Sequence, residues 1–142
     1  MTVLTPGEAA ERLAAEAPDW DWLRALTDEL DRRLRLAPLE RFLRLWGLSA
    51  SEAARAFGVS RQALSKWRRE GVPAERTPVL ADLAAATDLL DRRVKRERIP
   101  AVVRRPAPDL GGRSLYELAC AGLHEEVRTA VLRTFDLRRV QP

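Results

Sequence analysis

Between Arg61 and Arg69 the chain reads Arg-Gln-Ala-Leu-Ser-Lys-Trp-Arg-Arg, side chains of the kinds that hold nucleic acid. Spaced about 100° apart around a helix, Ala63, Leu64 and Trp67 fall on one side. Gln62, Ser65, Lys66 and Arg69 fall on the opposite side, with Arg61 and Arg68 flanking them. A guanidinium matches the two acceptors of guanine, and a carboxamide matches the donor and acceptor of adenine. Arg61, Gln62, Ser65 and Lys66 are therefore candidates for base edges, and Arg68 and Arg69 for phosphates. The competing reading is an amphipathic helix whose charged face is merely solvated.

Reactive groups elsewhere are sparse. His124 is the sole histidine and Cys120 the sole thiol, and two ligands four residues apart do not make a zinc site. Cys120, set between Ala119 and Ala121, reads as a small buried core residue. Asp109 and Glu125-Glu126 have no identifiable nucleophile, phosphate-binding loop or partner carboxylate. No catalytic residue, metal or cofactor is expected, and the chain does not read as an enzyme.

The elements that must position the cationic face give it a meaning. Ser49 with Glu52 three residues later is a capping-box spacing that opens a short helix. Ser60 caps a second helix, and Gly71 stands where that helix would end. Between them the turn at Phe57-Gly58-Val59 needs a residue tolerant of positive φ. Ala54 offers a small residue where two helices touch, and Leu64 an apolar anchor beneath the second. Residues 49–71 thus predict a helix-turn-helix whose second helix enters the major groove of double-stranded DNA.

Composition is compatible with that partner. A chain of 142 residues with 46% hydrophobic side chains holds one ordinary domain or two very small ones. Residues 1–36 carry 5 basic and 8 acidic groups, residues 37–76 carry 8 and 4, and residues 77–142 carry 12 and 9. The positive excess is densest around the predicted helix-turn-helix. Neither a membrane-spanning run nor a secretory signal is visible, so an intracellular, cytoplasmic protein is expected. A second cationic stretch, Arg92 to Arg98 with Arg104-Arg105 beyond, is either another nucleic-acid patch or a helix C-terminus rich in cations. Trp20, Trp22, Trp46 and Trp67 lie in periodic apolar patterns that favour core packing. Trp20 and Trp22 cannot both face one core, which leaves one of them for a partner.

Almost every segment reads as helix, and the expected class is all-α. Thr5-Pro6-Gly7-Glu8 opens a helix to about Ala17. Leu23, Leu26, Leu30 and Leu34 mark a second, and Pro38 is expected to start another carrying Phe42, Leu45 and Trp46. Thr77-Pro78 begins a helix with a stripe of Leu80, Leu83, Thr87, Leu90 and Val94, a candidate for connection or dimerisation. Pro100 interrupts the pattern, and Ala101-Val102-Val103 alternates like a strand too short to build a sheet. Ser114 with Glu117 is a further capping-box spacing, and Leu123, Val127, Val131 and Phe135 mark a final helix. The expected organisation is an N-terminal helical extension at 1–36, a DNA-binding segment at 37–76, a connecting or dimerising helix at 77–98 and a C-terminal module at 99–142.

The order of that module is Asp109-Leu110-Gly111-Gly112-Arg113-Ser114, a short helix, a glycine break and a last amphipathic helix. It resembles the toxin-binding domain of the Xre/MbcA/ParS family of antitoxins, in which a Cro/CI-like helix-turn-helix precedes a module marked by an LGGR(S/T)PLELL-like stretch. The matching residues are Leu110, Gly111, Gly112, Arg113, Ser114, Glu117 and Leu118. Leu115 departs from the family's proline, and Leu118-Ala119 from its apolar pair. The resemblance covers about two thirds of the chain and leaves residues 1–36 without a role. It implies a homodimeric antitoxin that neutralises a RES-domain toxin, an NAD-consuming enzyme, and represses its own operon at a palindromic operator. It also implies toxin contacts at Leu110, Gly111, Gly112, Arg113 and Ser114, and along Arg133 through Arg139, including Arg138 and Arg139. Two other readings remain: a stand-alone dimeric regulator, and a protein adaptor with a vestigial helix-turn-helix.

Overall fold

The computed structural model describes residues 3–140, except for the side chains of residues 32, 35, 36 and 137–140. Its described residues form an all-α fold of two compact units, Met1–Leu34 and Arg35–Pro142. In the first unit Thr5 caps α1 (Pro6–Glu16) with a complete capping box, and Asp19 accepts the Trp22 N–H at 2.8 Å to start α2 (Trp20–Trp46).

α2 does not break at Pro38, where a new helix was expected. An interior proline removes one backbone hydrogen bond and costs about 3 kcal/mol. The next turns bury Leu39, Phe42, Leu43, Leu45 and Trp46, and each such side chain returns about 1.5–3 kcal/mol. Burial outweighs the missing bond, so the helix continues.

The core of the second unit begins on that helix. Phe42 lies 4.8 Å from Trp46 and 5.7 Å from Phe57, and Phe57 lies 5.4 Å edge-on from Trp67, measured between ring centroids. This row of rings ties α2 to α3 (Ala50–Phe57) and α4 (Arg61–Glu70). α5 (Thr77–Arg93) then packs along α8 (His124–Val140). The predicted stripe on α5 is consumed within the chain, for Leu80, Leu83, Thr87 and Leu90 are all buried. Thr87 is satisfied there, accepting the Trp46 indole N–H at 3.0 Å and donating to the Leu83 carbonyl at 2.7 Å.

Between these long helices lie α6 (Ile99–Arg104) and α7 (Leu115–Cys120). Ala101-Val102-Val103 belongs to α6 and is not strand-like. Pro100 occupies the first turn, where its missing N–H has no partner to lose, so it opens a helix instead of interrupting one. Gly47, at φ +65° after α2, lets α6 approach closely: a Cβ there would lie 3.2 Å from Pro100. Among the described residues no helix is long and apolar enough to cross a membrane.

Candidate functional site

α3 and α4 meet as their caps require. Ser49 and Glu52 form both arms of a capping box, and Ser60 accepts the Ala63 N–H at 3.1 Å. Gly58 turns the chain in the left-handed region, at φ 67° and ψ 34°. The last four carbonyls of a helix have no partner within it. Here Ala54 accepts from the Val59 N–H at 2.9 Å and Arg55 from the Gly58 N–H at 3.1 Å. Ala56 accepts from His124 Nε2 at 2.7 Å and Phe57 from an Arg76 guanidinium N–H at 3.4 Å. The buried His124 thus finishes α3 from the start of α8; among the described residues no group of three metal-binding side chains gathers.

That frame presents α4 with Leu64 and Trp67 turned inward and Ala54 packed beneath the turn. Arg61, Gln62, Ser65, Lys66, Arg68 and Arg69 are all exposed. Arg61, Gln62, Ser65 and Arg68 border a shallow recess with Ala50 of α3. Lys66 stands 4.0 Å from Glu70 on the same helix. Arg68 reaches a partner on another helix, its guanidinium donating two hydrogen bonds to Glu40 of α2 at 2.6 and 3.0 Å. Its charge is already partnered, which the helical wheel does not reveal.

A second set of side chains locks α3 to the C-terminal helices. Arg104 of α6 donates to Glu52 at 2.5 Å and to the Gly47 carbonyl at 2.9 Å, and its guanidinium sits 5.6 Å from the Tyr116 ring centre. Tyr116 donates to the Glu52 carbonyl at 3.1 Å, and burial is the main cause that pushes its phenol up to about 12. The Arg104 hydrogen bond, followed by the Ser49 backbone N–H, holds the Glu52 carboxyl at about 2 instead of its ordinary 4.5. A carboxylate whose pKa falls on folding stabilises the fold above its unfolded pKa and loses that contribution as pH drops through the folded value. Wild type should therefore exceed Glu52→Gln in thermal midpoint at pH 6, and the gap should shrink between pH 4.5 and about 2. A gap independent of pH in melting curves would refute the assignment.

Arg104 belongs to the stretch read as a possible second nucleic-acid patch. The structure divides that stretch: α5 ends at Arg93, Arg96 pairs with Asp91 at 2.8 Å, and Arg104 pairs with Glu52. Arg41 of α2 holds Asp88 and Asp91 as well. Two cations of the stretch, Arg96 and Arg104, are thus engaged in ion pairs within the chain.

The Leu110 loop forms the other surface. Ala107 and Arg113 pair across its neck, with the Ala107 N–H donating to the Arg113 carbonyl at 3.1 Å and the Gly112 N–H to the Ala107 carbonyl at 3.0 Å. Gly111 and Gly112, at φ 67° and 80°, are both left-handed, so two consecutive glycines are needed to close it. The loop borders a groove of about 860 Å³ against α8, with Leu110 and Arg113 on one wall and Thr129 and Arg133 on the other. Leu110 and Arg133 also edge a second, more apolar recess of about 330 Å³ that reaches Val102 and Phe135.

Three expectations about this module change. Ser114 is 1% exposed and accepts the Glu117 N–H at 3.1 Å, so it supports the loop from beneath and offers no contact surface. Only that arm of the expected capping box forms. Cys120 is exposed, because α7 turns Leu115, Leu118 and Ala119 inward and the next position rotates out to solvent. Leu110, Arg113 and Arg133 do come together, with Gly111 and Gly112 exposed at the loop tip, whereas the side chains of Arg138 and Arg139 lie outside the described residues.

These features define an all-α protein that displays a cationic helix and, on separate elements, a loop-edged groove. No known family matches the chain, and no curated protein matches it. Its fold is similar to that of a chain in the crystal structure of the M. tuberculosis MbcT-MbcA toxin-antitoxin complex. The likeness has a TM-score of 0.55 and 22% identity, covering 69% of this chain and 89% of that one.

Proposed function

We propose that this protein is the antitoxin of a toxin–antitoxin pair, a homodimer that binds its own operator through α4 and a RES-domain toxin through its C-terminal module. The observation that carries the reading is the presence of both surfaces on one chain whose fold resembles a component of a toxin–antitoxin complex. On the DNA side, α3, the Gly58 turn and α4 act as a helix-turn-helix, with Arg61, Gln62, Ser65 and Lys66 over base edges and Arg69 toward phosphate. On the toxin side, Leu110, Gly111, Gly112, Arg113 and Arg133 supply the contact, an apolar centre flanked by two guanidinium groups. Ser114 serves by holding the loop in shape.

Two measurements test the halves separately. The protein should shift DNA from upstream of its own gene and should co-purify with, and relieve the toxicity of, the product of the adjacent gene. No binding to any adjacent product would overturn the antitoxin half and leave the regulator half standing. The Arg68–Glu40 pair supplies a finer check. Glu40→Gln releases the Arg68 guanidinium for phosphate, so DNA affinity should rise by a few fold and the log–log salt slope should steepen by about one unit. An unchanged or shallower slope would show that Arg68 faces away from DNA.

A further inference from the structure

The apolar recess of about 330 Å³ beside the Leu110 loop is walled by Leu90, Val102, Leu110, Leu115, Val131 and Phe135. These side chains come from α5, α6, the loop, α7 and α8, so five parts of the second unit meet around one opening. Leu90, Leu115, Val131 and Phe135 belong to the core, whereas Val102 and Leu110 are half-buried. The volume stands at the lower end of the range for binding clefts, about 300–1,000 Å³. It suits a single large side chain, and apolar walls give such a side chain the desolvated seat in which interface anchors sit.

The rim carries more positive than negative charge. Arg105 and Arg133 border the recess against one carboxylate, Asp109. All three are exposed, and among the described residues neither guanidinium is engaged in a hydrogen bond or an ion pair. An acidic group arriving with the anchor therefore finds two cations to meet it. Nucleic acid fits poorly. Its phosphates gain nothing from walls of carbon, and the adjoining groove adds Glu125 and Glu126 to Asp109, carboxylates that repel a polyanion. Recess and groove share Asp109, Leu110, Ala130 and Arg133, so a polypeptide seated in one can run on into the other. A free small acid would use the recess alone.

We propose that this recess is the anchor point for the toxin. One large apolar side chain of the toxin enters it, and an acidic residue close to that side chain meets Arg105 and Arg133. The proposal rests on the antitoxin reading and deepens it by naming the chemistry of the partner segment. Val102, Arg105 and Phe135 stand outside the stretch that carries the family resemblance.

The test uses the full chain and the product of the adjacent gene, with affinity measured by calorimetric titration. Thr134→Trp and Ala130→Trp each place an indole at the recess, from an exposed and a half-buried position. Each should weaken the complex by about tenfold to a hundredfold, the contribution of one large apolar side chain. Arg105→Glu with Arg133→Glu should weaken it to a similar degree, and that loss should shrink as salt is added. Operator binding, helicity and thermal midpoint should keep their wild-type values in Thr134→Trp and in the charge variant, whose positions are exposed. A benzophenone side chain placed at Asp109 should cross-link to a toxin stretch that holds a large apolar residue beside an acidic one. A wild type that binds no adjacent product overturns the antitoxin reading and this proposal together. Wild-type affinity in Thr134→Trp and Ala130→Trp overturns the recess alone and leaves the antitoxin reading standing. A charge-variant loss that salt does not change overturns the acidic neighbour, and a cross-linked stretch without a large apolar residue overturns the anchor.

Discussion

Trp67→Ala should lower the unfolding free energy by about 3–5 kcal/mol and abolish operator binding with it. Trp67 is 5% exposed and meets Phe57 edge-on at the end of the aromatic row that begins at Trp46. Only Leu64 and Trp67 of α4 are buried, so the indole supplies much of what seats that helix. Its removal leaves a cavity beside Phe57 and lets the cationic face swing away from α3. Trp67→Phe keeps a ring and should cost less, because the edge-to-face pairing survives in part. Denaturant unfolding followed by circular dichroism measures both. A loss below about 1 kcal/mol for the alanine variant would mean that α4 is held by other contacts.

Lys66→Ala and Arg69→Ala should each weaken operator binding and flatten its dependence on salt. Arg69→Ala should reduce the log–log slope by about 0.9 for the phosphate left without its cation, and Lys66→Ala, over a base edge, should reduce it by less. Gln62→Ala should behave differently. A base-reading carboxamide carries about 1–3 kcal/mol of discrimination, so its loss should relax sequence preference and leave the slope nearly intact. Titrations of specific and scrambled duplexes across a salt series distinguish the two kinds of loss. Unchanged slopes in both cation variants would turn the outer face of α4 away from DNA and favour the adaptor reading.

What was legible in the sequence was local. Ser49, Glu52, Ser60 and Gly58 act on their own or adjacent turns, and their spacing alone placed α3 and α4. The inward face of α4 followed from helical phase, as did the core positions Val127, Val131 and Phe135. Pro38 misled because its cost is local while the burial that overrides it comes from α3, α4 and α5. Cys120 misled because its alanine neighbours were weighed in place of its angle on α7. The partners of Arg104 and His124 lie 52 and 68 positions away, and no spacing rule reaches that far. The residues proposed to face DNA were argued from their own chemistry. The loop proposed to face a toxin rested on family resemblance, and the structure adds the glycine-closed neck and the groove beside it.

The ends of α3 have a consequence for the order in which the chain assembles. Its first turn is held by Arg104 and two of its final carbonyls by Arg76 and His124. Long stretches of chain must close before those bonds exist, and closure entropy is lost before the contacts repay it. The local caps can close α3 and its turn, but their full set of partners exists only once α6 and α8 have docked. A chain cut after Ala121 would lack the imidazole at Ala56, and one cut before Arg104 would also lack the clamp on Glu52. The frame beneath the cationic helix α4 is complete only when α8 has docked.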